Sequence, residues 1–424
     1  MPKLRHLPLR LQPDAARVVI RPFHVPVKPS GMDPSQLSRA HRIFDGVLKM
    51  DARTCLAELG IVYQDFGDRH FDISEVFERR YRQMAEELGF TGRLRAQQRE
   101  LVGAYFCHEY SYAAAALMNP SVVPHPNQSG LPEGSMRFVM SLRAVGEGHI
   151  SSVEFREGVL SAAGNVELTR LPLVSMAPEG RVDGDGAHVA RERRTPLSGT
   201  VLFPVTPAQR NGLEDLRLVR FEDDDEGPVF YGTYTAYSGS TIQSELLITR
   251  DFDSFDLTPL SGGASVNKGM ALFPRRIGGR YAMIGRQDGE SIYYLESDDL
   301  LHWDGGERII TPLHPWELVQ MGNCGSPVEI DEGWLLITHG VGAVRKYSIG
   351  AVLLDKADPR KVIGRTPSPI LSPADDDRKG YVPNVVYTCG ALALGRQLFL
   401  PYGIADSMVG FCWIDIDELV SELV

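Results

Sequence analysis

From about residue 135 onward, the sequence is a succession of short apolar or alternating segments separated by Gly, Pro, Asn and Asp. Clear examples are residues 137–143, 148–155, 229–237, 281–284, 291–295, 334–338 and 398–401. Short segments that are bounded by turn residues at regular intervals are typical of the strands of a barrel, a sandwich or a propeller. This long C-terminal part of the chain is therefore expected to be mainly β.

An internal repeat helps to choose among these β architectures. The segments Leu247-Ile-Thr-Arg-Asp-Phe-Asp-Ser-Phe-Asp256 and Leu295-Glu-Ser-Asp-Asp-Leu-Leu-His-Trp-Asp304 share a strand, an Asp-rich turn and a following aromatic residue, and they begin 48 residues apart. A four-stranded propeller blade uses about 40–50 residues, so residues 116–424 would hold about five blades. A five-bladed β-propeller is thus the expected fold, and two similar hairpins in a sandwich are the alternative.

The first 115 residues have a different, helical pattern. Helices are predicted over residues 33–59, 72–88 and 94–117, with a short strand over 17–23 ahead of them. In the second helix, Ile73, Val76, Phe77, Tyr81 and Met84 have the spacing of one apolar face. The sequence therefore predicts a helical extension over 1–115 and a propeller over 116–424. Because an apolar stripe must be buried, these helices are also expected to contribute to a homo-oligomer.

Composition and charge narrow the possible partners. No apolar run approaches the length of a membrane-spanning helix, and the segment Met1-Pro-Lys-Leu-Arg-His6 is too interrupted for a secretory signal. The five cysteines are scattered without a Cys-x-x-Cys pair, which favours free thiols in a reducing cytoplasm and no metal site. A net charge of −11 disfavours nucleic acid as a partner.

The segment Asn211-Gly-Leu-Glu-Asp-Leu-Arg217 carries the strongest chemical signal. It places two adjacent carboxylates between a turn-forming Asn-Gly and an apolar run. Because a strand alternates its side chains, Glu214 and Asp215 are expected on opposite faces, one in a central cavity and the other bracing the backbone. A single well-placed carboxylic acid suits a glycosidase-type site, where it protonates a leaving sugar oxygen. The alternative is an acidic strand start on a solvated edge.

Nine motifs in order over residues 116–424 then show a family resemblance. They are Asn119-Pro120, Ser141-Leu-Arg143-Ala144, Asn211-Gly-Leu-Glu-Asp-Leu-Arg217, Asn267-Lys-Gly-Met-Ala-Leu-Phe-Pro274, Tyr281-Ala-Met-Ile-Gly-Arg286, Gly333-Trp-Leu-Leu-Ile-Thr-His-Gly-Val341, Ile349-Gly-Ala-Val-Leu-Leu-Asp355, Gly380-Tyr-Val-Pro-Asn-Val-Val386 and Pro401-Tyr-Gly-Ile-Ala-Asp406. Together they make the chain similar to glycoside hydrolase family 130, the mannoside phosphorylases and β-mannosidases.

The resemblance implies a five-bladed propeller with its active site in the central cavity, and it implies roles for particular residues. Asp215 would be the catalytic acid, and Arg143 and Asp406 would hold the mannosyl unit. Further residues of the same motifs, Asn119, Glu214 and Arg217, complete the candidate substrate-binding set. The residues implied at the phosphate site are Lys268, Arg286, His339 and Tyr347. No cofactor is implied, because inorganic phosphate would serve as a co-substrate.

The two activities of the family need different residues. Inverting hydrolysis requires a second carboxylate that activates water, whereas phosphorolysis requires cationic side chains that hold an anionic nucleophile. Lys268 and Arg286 favour phosphorolysis of β-mannosides, with β-1,2-linked oligosaccharides and phosphate as partners. Two departures from the family keep hydrolysis open. Glu329 stands where a lysine is common, and Gln287 and the residues after it replace an expected histidine. Glu329 is thus the candidate base of a hydrolase. A non-catalytic sugar-binding propeller is the third possibility.

Overall fold

The structure is a computed structural model that describes residues 2–25, 38–192, 194–223 and 227–424. It divides into two compact units. One unit contains the described residues up to Ala15 together with 112–171 and 178–424, and the other contains residues 16–111 and 172–177. The sequence predicted one boundary at residue 115. The division differs because residues near the N-terminus form a strand of the large β unit.

The chain contains five α-helices and 27 strands among its described residues. The helices are α1 (Arg39–Lys49), α2 (Ala52–Phe66), α3 (Ile73–Glu87), α4 (Ala96–Tyr105) and α5 (Ile416–Ser421). The strands are β1 (Leu4–Leu11), β2 (Val18–Pro22), β3 (Cys107–Ser111), β4 (Ala116–Pro124), β5 (Met136–Val145), β6 (Ser151–Leu160), β7 (Val166–Leu168), β8 (Gly180–Asp183), β9 (Gly186–Ala190), β10 (Val201–Leu202), β11 (Gly212–Asp223), β12 (Gly227–Tyr237), β13 (Ile242–Thr249), β14 (Ser254–Pro259), β15 (Ala271–Leu272), β16 (Tyr281–Gly285), β17 (Ile292–Ser297), β18 (Glu307–Ile310), β19 (Gln320–Asn323), β20 (Val328–Ile330), β21 (Gly333–Val341), β22 (Tyr347–Leu354), β23 (Val362–Arg365), β24 (Val386–Tyr387), β25 (Leu392–Leu394), β26 (Gln397–Ile404) and β27 (Met408–Asp415).

The smaller unit contains α1 to α4 and the antiparallel pair β2–β3. The predicted helix over 33–59 is two helices, because Met50 is extended and Asp51 caps α2 by accepting a hydrogen bond from the backbone of Thr54 at 2.7 Å. Its predicted start at Asp33 lies outside the described residues. The strand predicted over 17–23 is confirmed as β2. The helix predicted over 94–117 is wrong beyond Tyr105, where β3 begins and pairs with β2.

The apolar stripe of α3 is buried within the smaller unit itself. Ile73, Phe77 and Met84 are all at most 5% exposed. Helix α4 approaches α3 so closely that a Cβ on Gly103 would lie 1.9 Å from the carbonyl oxygen of Phe77. The stripe therefore has its partner inside the unit, which removes the sequence-based reason for expecting a second subunit to cover it.

The larger unit contains four sheets that follow one another along the chain. The first runs β4-β5-β6-β11-β12-β13-β14-β9-β8, with β7 and β10 also paired to β6. The second is β15-β16-β17-β18, and the third is β19-β21-β22-β23 with β20 beside β21. The last is β24-β26-β27-β1 with β25 beside β26. The chain is mainly β, as predicted, and its N-terminal strand completes its C-terminal sheet.

Apolar side chains fill the spaces between successive sheets. Phe273 packs edge-on against Trp334. The ring centroids of Phe138 and Phe399 are 5.8 Å apart, and this contact joins the first sheet to the last. The two repeated segments occupy equivalent places, since Leu247 lies on β13 and Leu295 on β17. None of the described helices combines the length and hydropathy that crossing a membrane requires. The sheets position their loops around the candidate site.

Candidate active site

The start of β11 is irregular, and this irregularity builds the centre of the site. The register with β12 shifts between Glu214 and Arg217, and Asp215 has a φ of 58°. A bulge of this kind interrupts the alternation of side chains. Arg143, on β5, donates from one nitrogen to Glu214 at 2.6 Å and from the other to Asp215 at 3.1 Å. The prediction that the two carboxylates occupy opposite faces is therefore wrong.

Asp215 is partly buried, with a side chain that is 14% exposed, and it leaves one carboxylate oxygen available. Both Asn119 Nδ2, at 2.6 Å, and Arg143 donate to its Oδ1, while Oδ2 has no hydrogen-bond partner among the described residues. Burial raises the pKa of Asp215, but the positive charges of Arg143 and Arg217 outweigh that effect and hold the pKa below its usual value of 3.8. In the ligand-free site this carboxyl group is ionised at neutral pH.

Glu214 joins the site arginine to the site lysine. Its Oε2 accepts a hydrogen bond from Lys268 Nζ at 2.7 Å, while its Oε1 accepts from Arg143. The Glu214 side chain is 9% exposed and that of Lys268 is 33% exposed. Glu214 therefore holds both cations in place, and Lys268 is the one that solvent or a ligand can still reach.

Arg217 is a buried residue that stabilises the site through three hydrogen bonds. It is 3% exposed and donates to the carbonyl oxygens of Cys324 and Asp215, at 3.1 and 2.9 Å. A third bond goes to Tyr387 Oη at 2.9 Å. The sequence suggested that Arg217 contacts substrate. In the structure Arg217 braces the left-handed backbone of Asp215, and its contact with substrate stays a prediction.

Asp406 lies in a second strained turn, between β26 and β27. Ala405 and Asp406 have φ values of 49° and 47°, a conformation that non-glycine residues seldom adopt. Burial, followed by the negative charge of Asp215, raises the pKa of Asp406 to about 6. Two neighbouring carboxyl groups with pKa values moved in opposite directions are typical of acid–base sites.

Arg286 and His339 form the cationic side of the site. Arg286 donates to His339 Nε2 at 3.1 Å, and its buried Nε has no partner in the described part of the chain. His339 is 2% exposed, and burial together with the charges of Arg286 and Arg217 moves its pKa well below 6.5. The ring of Tyr347 stacks on His339 at 6.0 Å. A neutral histidine thus leaves the charge of Arg286 uncompensated.

Glu329 is not brought to this cluster. It lies on β20, where Arg275 donates to both of its oxygens, at 2.8 and 2.9 Å, and Lys356 lies 3.5 Å away. Hydrogen bonding from Arg275 lowers the pKa of Glu329. The hypothesis that Glu329 is the base of a hydrolase has no support in this geometry, because its carboxylate is already occupied by an ion pair.

Three residues of the site were missed by sequence reasoning. Ser151 accepts a hydrogen bond from Arg143 Nε at 2.9 Å, and Tyr387 accepts one from Arg217. Asn323 is 1% exposed, and its Oδ1 has no partner in the described part of the chain. Tyr387 follows the Gly380–Val386 motif directly, and that position was the available signal. Nothing in the sequence distinguishes Ser151. Within the described ranges, no three His, Cys, Asp or Glu side chains are grouped as metal ligands would be.

The chain has detectable relatives. Residues 184–423 match the profile of glycoside hydrolase family 130, described as beta-1,4-mannooligosaccharide phosphorylase. A 1,2-beta-oligomannan phosphorylase of Thermoanaerobacter sp. (strain X514) is 32% identical over 243 residues, which are 56% of this chain and 78% of the relative. A beta-1,2-mannobiose phosphorylase of Listeria innocua is 32% identical over 250 residues, covering 56% of this chain and 66% of the relative.

A solved structure has a similar fold. The beta-1,2-mannobiose phosphorylase from Listeria innocua, in complex with beta-1,2-mannobiose, superimposes with a TM-score of 0.51 at 23% identity. The superposition covers 73% of this chain and 92% of that structure. At this level of identity the superposition establishes the fold.

Proposed function

The chain belongs to glycoside hydrolase family 130, and from this membership and the geometry of the site we propose that it is a β-mannoside phosphorylase. It transfers the mannosyl unit of a β-1,2-linked manno-oligosaccharide to inorganic phosphate. The anomeric configuration inverts, and the product is α-mannose 1-phosphate. The relatives named above, which act on β-1,2-linked mannosides or oligomannans by their names, support this substrate class.

The observation that carries the proposal is the uncompensated charge of Arg286. Its hydrogen-bond partner is a neutral histidine, and its buried Nε is unsatisfied among the described residues. A partly buried cation with free donors is a site for an anion, and guanidinium groups bind phosphate oxygens strongly. Lys268 adds a second, more exposed cation, which Glu214 holds in the ligand-free state. Phosphate is the nucleophile that such a site fits.

The two adjacent carboxylates of the site have different roles: Asp215 is the acid, and Glu214 holds Arg143 and Lys268 in place. Glu214 is occupied by Arg143 and Lys268, so it is not free to activate water. Asp215 keeps Oδ2 available and donates the proton to the leaving glycosidic oxygen, directly or through a sugar hydroxyl. Phosphorolysis needs no carboxylate base, since phosphate arrives already anionic. Arg143, Asn119 and Asp406 hold the mannosyl unit.

Asp215 must be protonated to act as an acid, and phosphate binding provides the necessary rise in its pKa. In the ligand-free site the surrounding cations keep this group ionised. A bound phosphate adds negative charge beside Lys268 and Arg286, which raises the pKa of Asp215 and populates its acid form. The proton then moves to the leaving oxygen as a phosphate oxygen attacks C1 from the opposite face and the C1–oxygen bond breaks. Asp215 regains its proton from solvent.

The test is product identification with and without phosphate. Incubation with β-1,2-mannobiose should give α-mannose 1-phosphate and mannose only when phosphate is present. Arg286→Ala should raise the KM for phosphate by on the order of 10-fold or more and leave the KM for mannobiose nearly unchanged, because the contact is made to one substrate. Arg275→Ala is the matched control. Free mannose formed equally well without phosphate would overturn the proposal in favour of hydrolysis.

We further propose that the larger unit is a five-bladed β-propeller. Strand β11 joins β6 through a single parallel pair, Gly212 with Ser151, so the first sheet separates there into two blades of the usual antiparallel kind. The other three sheets supply one blade each, and β1 completes the last of them. The repeat spacing of 48 residues matches one blade.

The smaller unit supports a proposal about assembly. Leu56 and Ile61, on α2, are 54% and 53% exposed, and apolar side chains on one exposed helix favour contact between copies of the chain. We propose a homo-oligomer through these helices, which light scattering of the wild type and of Ile61→Glu will test. The four buried cysteines, Cys55, Cys324, Cys389 and Cys412, are free thiols, which fits a reducing cytoplasm.

A further inference from the structure

Backbone strain is concentrated in the candidate site and in the loops beside it. Among the described residues, ten that are not glycine have φ values between 44° and 65°. Two of them, Asp72 and Phe252, lie elsewhere. The others belong to the site or to the loops beside it, and they are Asn119, His149, Asp215, Val344, Arg345, Asn384, Ala405 and Asp406. Such strain clusters at functional sites, so its members without an assigned role are candidates for further contacts with ligand.

His149 is one of these residues, in the loop between β5 and β6. Gly148 and His149 are both left-handed, with φ values of 66° and 59°, and the backbone N–H of His149 donates to the carbonyl of Gly146. The loop begins just after Arg143 and ends at Ser151, which are joined by their own hydrogen bond. The imidazole of His149 is therefore projected into solvent from a loop whose two ends belong to the mannosyl-binding side.

Tyr381 approaches from the segment that precedes β24. Its backbone N–H donates to Ser407 Oγ at 2.6 Å, and that of Val382 donates to the carbonyl of Ala405 at 3.0 Å. These bonds fix the segment to the turn that carries Asp406. On the other side, the backbone N–H of Tyr347 donates to Asn384 at 2.9 Å. Tyr381 is thus held between the mannosyl-binding turn and the phosphate side.

The two side chains meet although both are exposed. Tyr381 Oη lies 3.3 Å from His149 Nδ1, and the ring centroids are 5.9 Å apart at an angle of 38°. Tyr381 is 56% exposed. A contact between exposed side chains adds little to stability, because water competes for it and ordering both side chains costs entropy. Stability therefore does not explain why a strained histidine and a solvent-facing tyrosine are fixed here.

We propose that His149 and Tyr381 form the binding surface for the sugar that leaves, next to the mannosyl unit. This inference rests on the proposed phosphorylase function. The tyrosine ring offers an apolar face to the C–H bonds of a hexose, and its Oη and the imidazole nitrogens bind hydroxyl groups. Arg345, whose guanidinium lies 5.9 Å from the ring centroid of Tyr347, belongs to another of the strained loops beside the site. The ligand is thus a neutral hexose in the acceptor position.

Kinetics in the synthetic direction separate this position from the rest of the site. The wild-type enzyme is first shown to couple α-mannose 1-phosphate to mannose with release of phosphate. If it does not, the proposed function itself fails. With an active wild type, Tyr381→Ala and His149→Ala should each raise the KM for the acceptor mannose by on the order of 10-fold. The KM for α-mannose 1-phosphate, which occupies the mannosyl and phosphate positions alone, should stay within about twofold.

Matched controls and a milder variant make the result decisive. His188→Ala removes an exposed histidine on β9 that is bonded to Asp256 of β14. Tyr105→Ala removes a tyrosine on α4 that is 43% exposed. Neither control should change either KM. Tyr381→Phe, which keeps the ring and loses Oη, should give an intermediate acceptor KM. An unchanged acceptor KM in both alanine variants, or an equal rise in both KM values, would overturn the assignment.

Discussion

Two charge clusters of the larger unit have nearly the same composition and very different structures. In the site cluster, Glu214 binds Arg143 at 2.6 Å and Lys268 at 2.7 Å. In the Glu329 cluster, the carboxylate binds Arg275 at 2.8 Å and Lys356 at 3.5 Å. The Glu214 side chain is 9% exposed, whereas that of Glu329 is 32% exposed. A glutamate with an arginine and a lysine therefore marks a functional site in one place and a surface ion pair in the other.

Backbone strain and unsatisfied polar atoms are what distinguish the two clusters. Glu329 lies on a regular strand that pairs opposite Trp334, and Arg275 lies over the ring of Trp334 at 4.9 Å. The site cluster instead contains the left-handed Asp215, and beside it Asn119 Oδ1 is buried with no partner among the residues that the structure describes. A fully paired cluster has nothing left to offer a ligand. The site cluster keeps both strain and free polar atoms, as binding and catalysis require.

The largest expected effect is the loss of turnover when Asp215, in the site cluster, is substituted. Asp215→Asn should lower kcat by on the order of 10²–10⁴, because it removes the proposed general acid and keeps the shape of the side chain. Initial rates with β-1,2-mannobiose and phosphate measure this. Asp331→Asn, at a side chain that is 95% exposed, is the control. Near-wild-type turnover by a folded Asp215→Asn protein would show that the strained cluster is not the acid centre.

The sequence predicted residues that the structure brings together, since Arg143, Asp215 with Glu214, and Lys268 come from three separate motifs and are joined by hydrogen bonds. The mainly β architecture followed from strand spacing, and the residues from Asn119 to Asp406 came from motifs that the family resemblance covers. The bulge at Asp215 could not be predicted, since alternation is the default for a strand and a register shift depends on the partner strand. The ion pair of Glu329 was equally invisible, because Arg275 lies 54 residues away in sequence.

The helical unit was predicted less well, for a related physical reason. Beyond Tyr105, Cys107–Ser111 form β3 and pair with β2, and the alanine-rich stretch 113–116, which has good helix propensity, leads directly into β4. Tertiary pairing overrides propensity here. The burial of the α3 stripe against α4 likewise depends on Gly103, whose missing side chain permits the close approach. Neither fact is contained in the periodicity of a single helix. Local sequence patterns predicted the helices of this unit, but contacts with other segments of the chain determine where the helices end.

An intermediate effect concerns the pH dependence of stability in the site cluster. The pKa of Asp406 is raised to about 6 in the folded protein against an ordinary value of 3.8, so the folded state binds this proton more tightly than the unfolded chain does. Stability is therefore lost as the pH rises from about 4 to 6 and stays lower above that range. Asp406→Asn removes the ionisable group and should raise the free energy of unfolding by roughly 1–3 kcal/mol at pH 8, with no gain at pH 4.

Denaturant unfolding in phosphate-free buffer at the two pH values measures this difference, since bound phosphate would change the charge of the site. Asp331→Asn should show no such contrast between pH 4 and pH 8. A stabilisation by Asp406→Asn that is the same at both values would mean that Asp406 is not a destabilised carboxylate. The variant should at the same time lose activity, because we propose that Asp406 holds the mannosyl unit. Stability gained together with activity lost is the pattern expected for a strained functional residue.

The smallest expected effect is at Glu329, where the other cluster is tested. Glu329→Gln removes the charge of a pair whose partners, Arg275 and Lys356, have side chains that are 40% and 46% exposed. Exposed ion pairs contribute about 0–1 kcal/mol, so the free energy of unfolding should change by less than about 1 kcal/mol. The kcat and both KM values should stay within about twofold of wild type, because the side chain touches no residue of the site. Loss of activity in a folded Glu329→Gln protein, measured beside Arg275→Ala, would erase the distinction between the clusters and restore Glu329 as a candidate base.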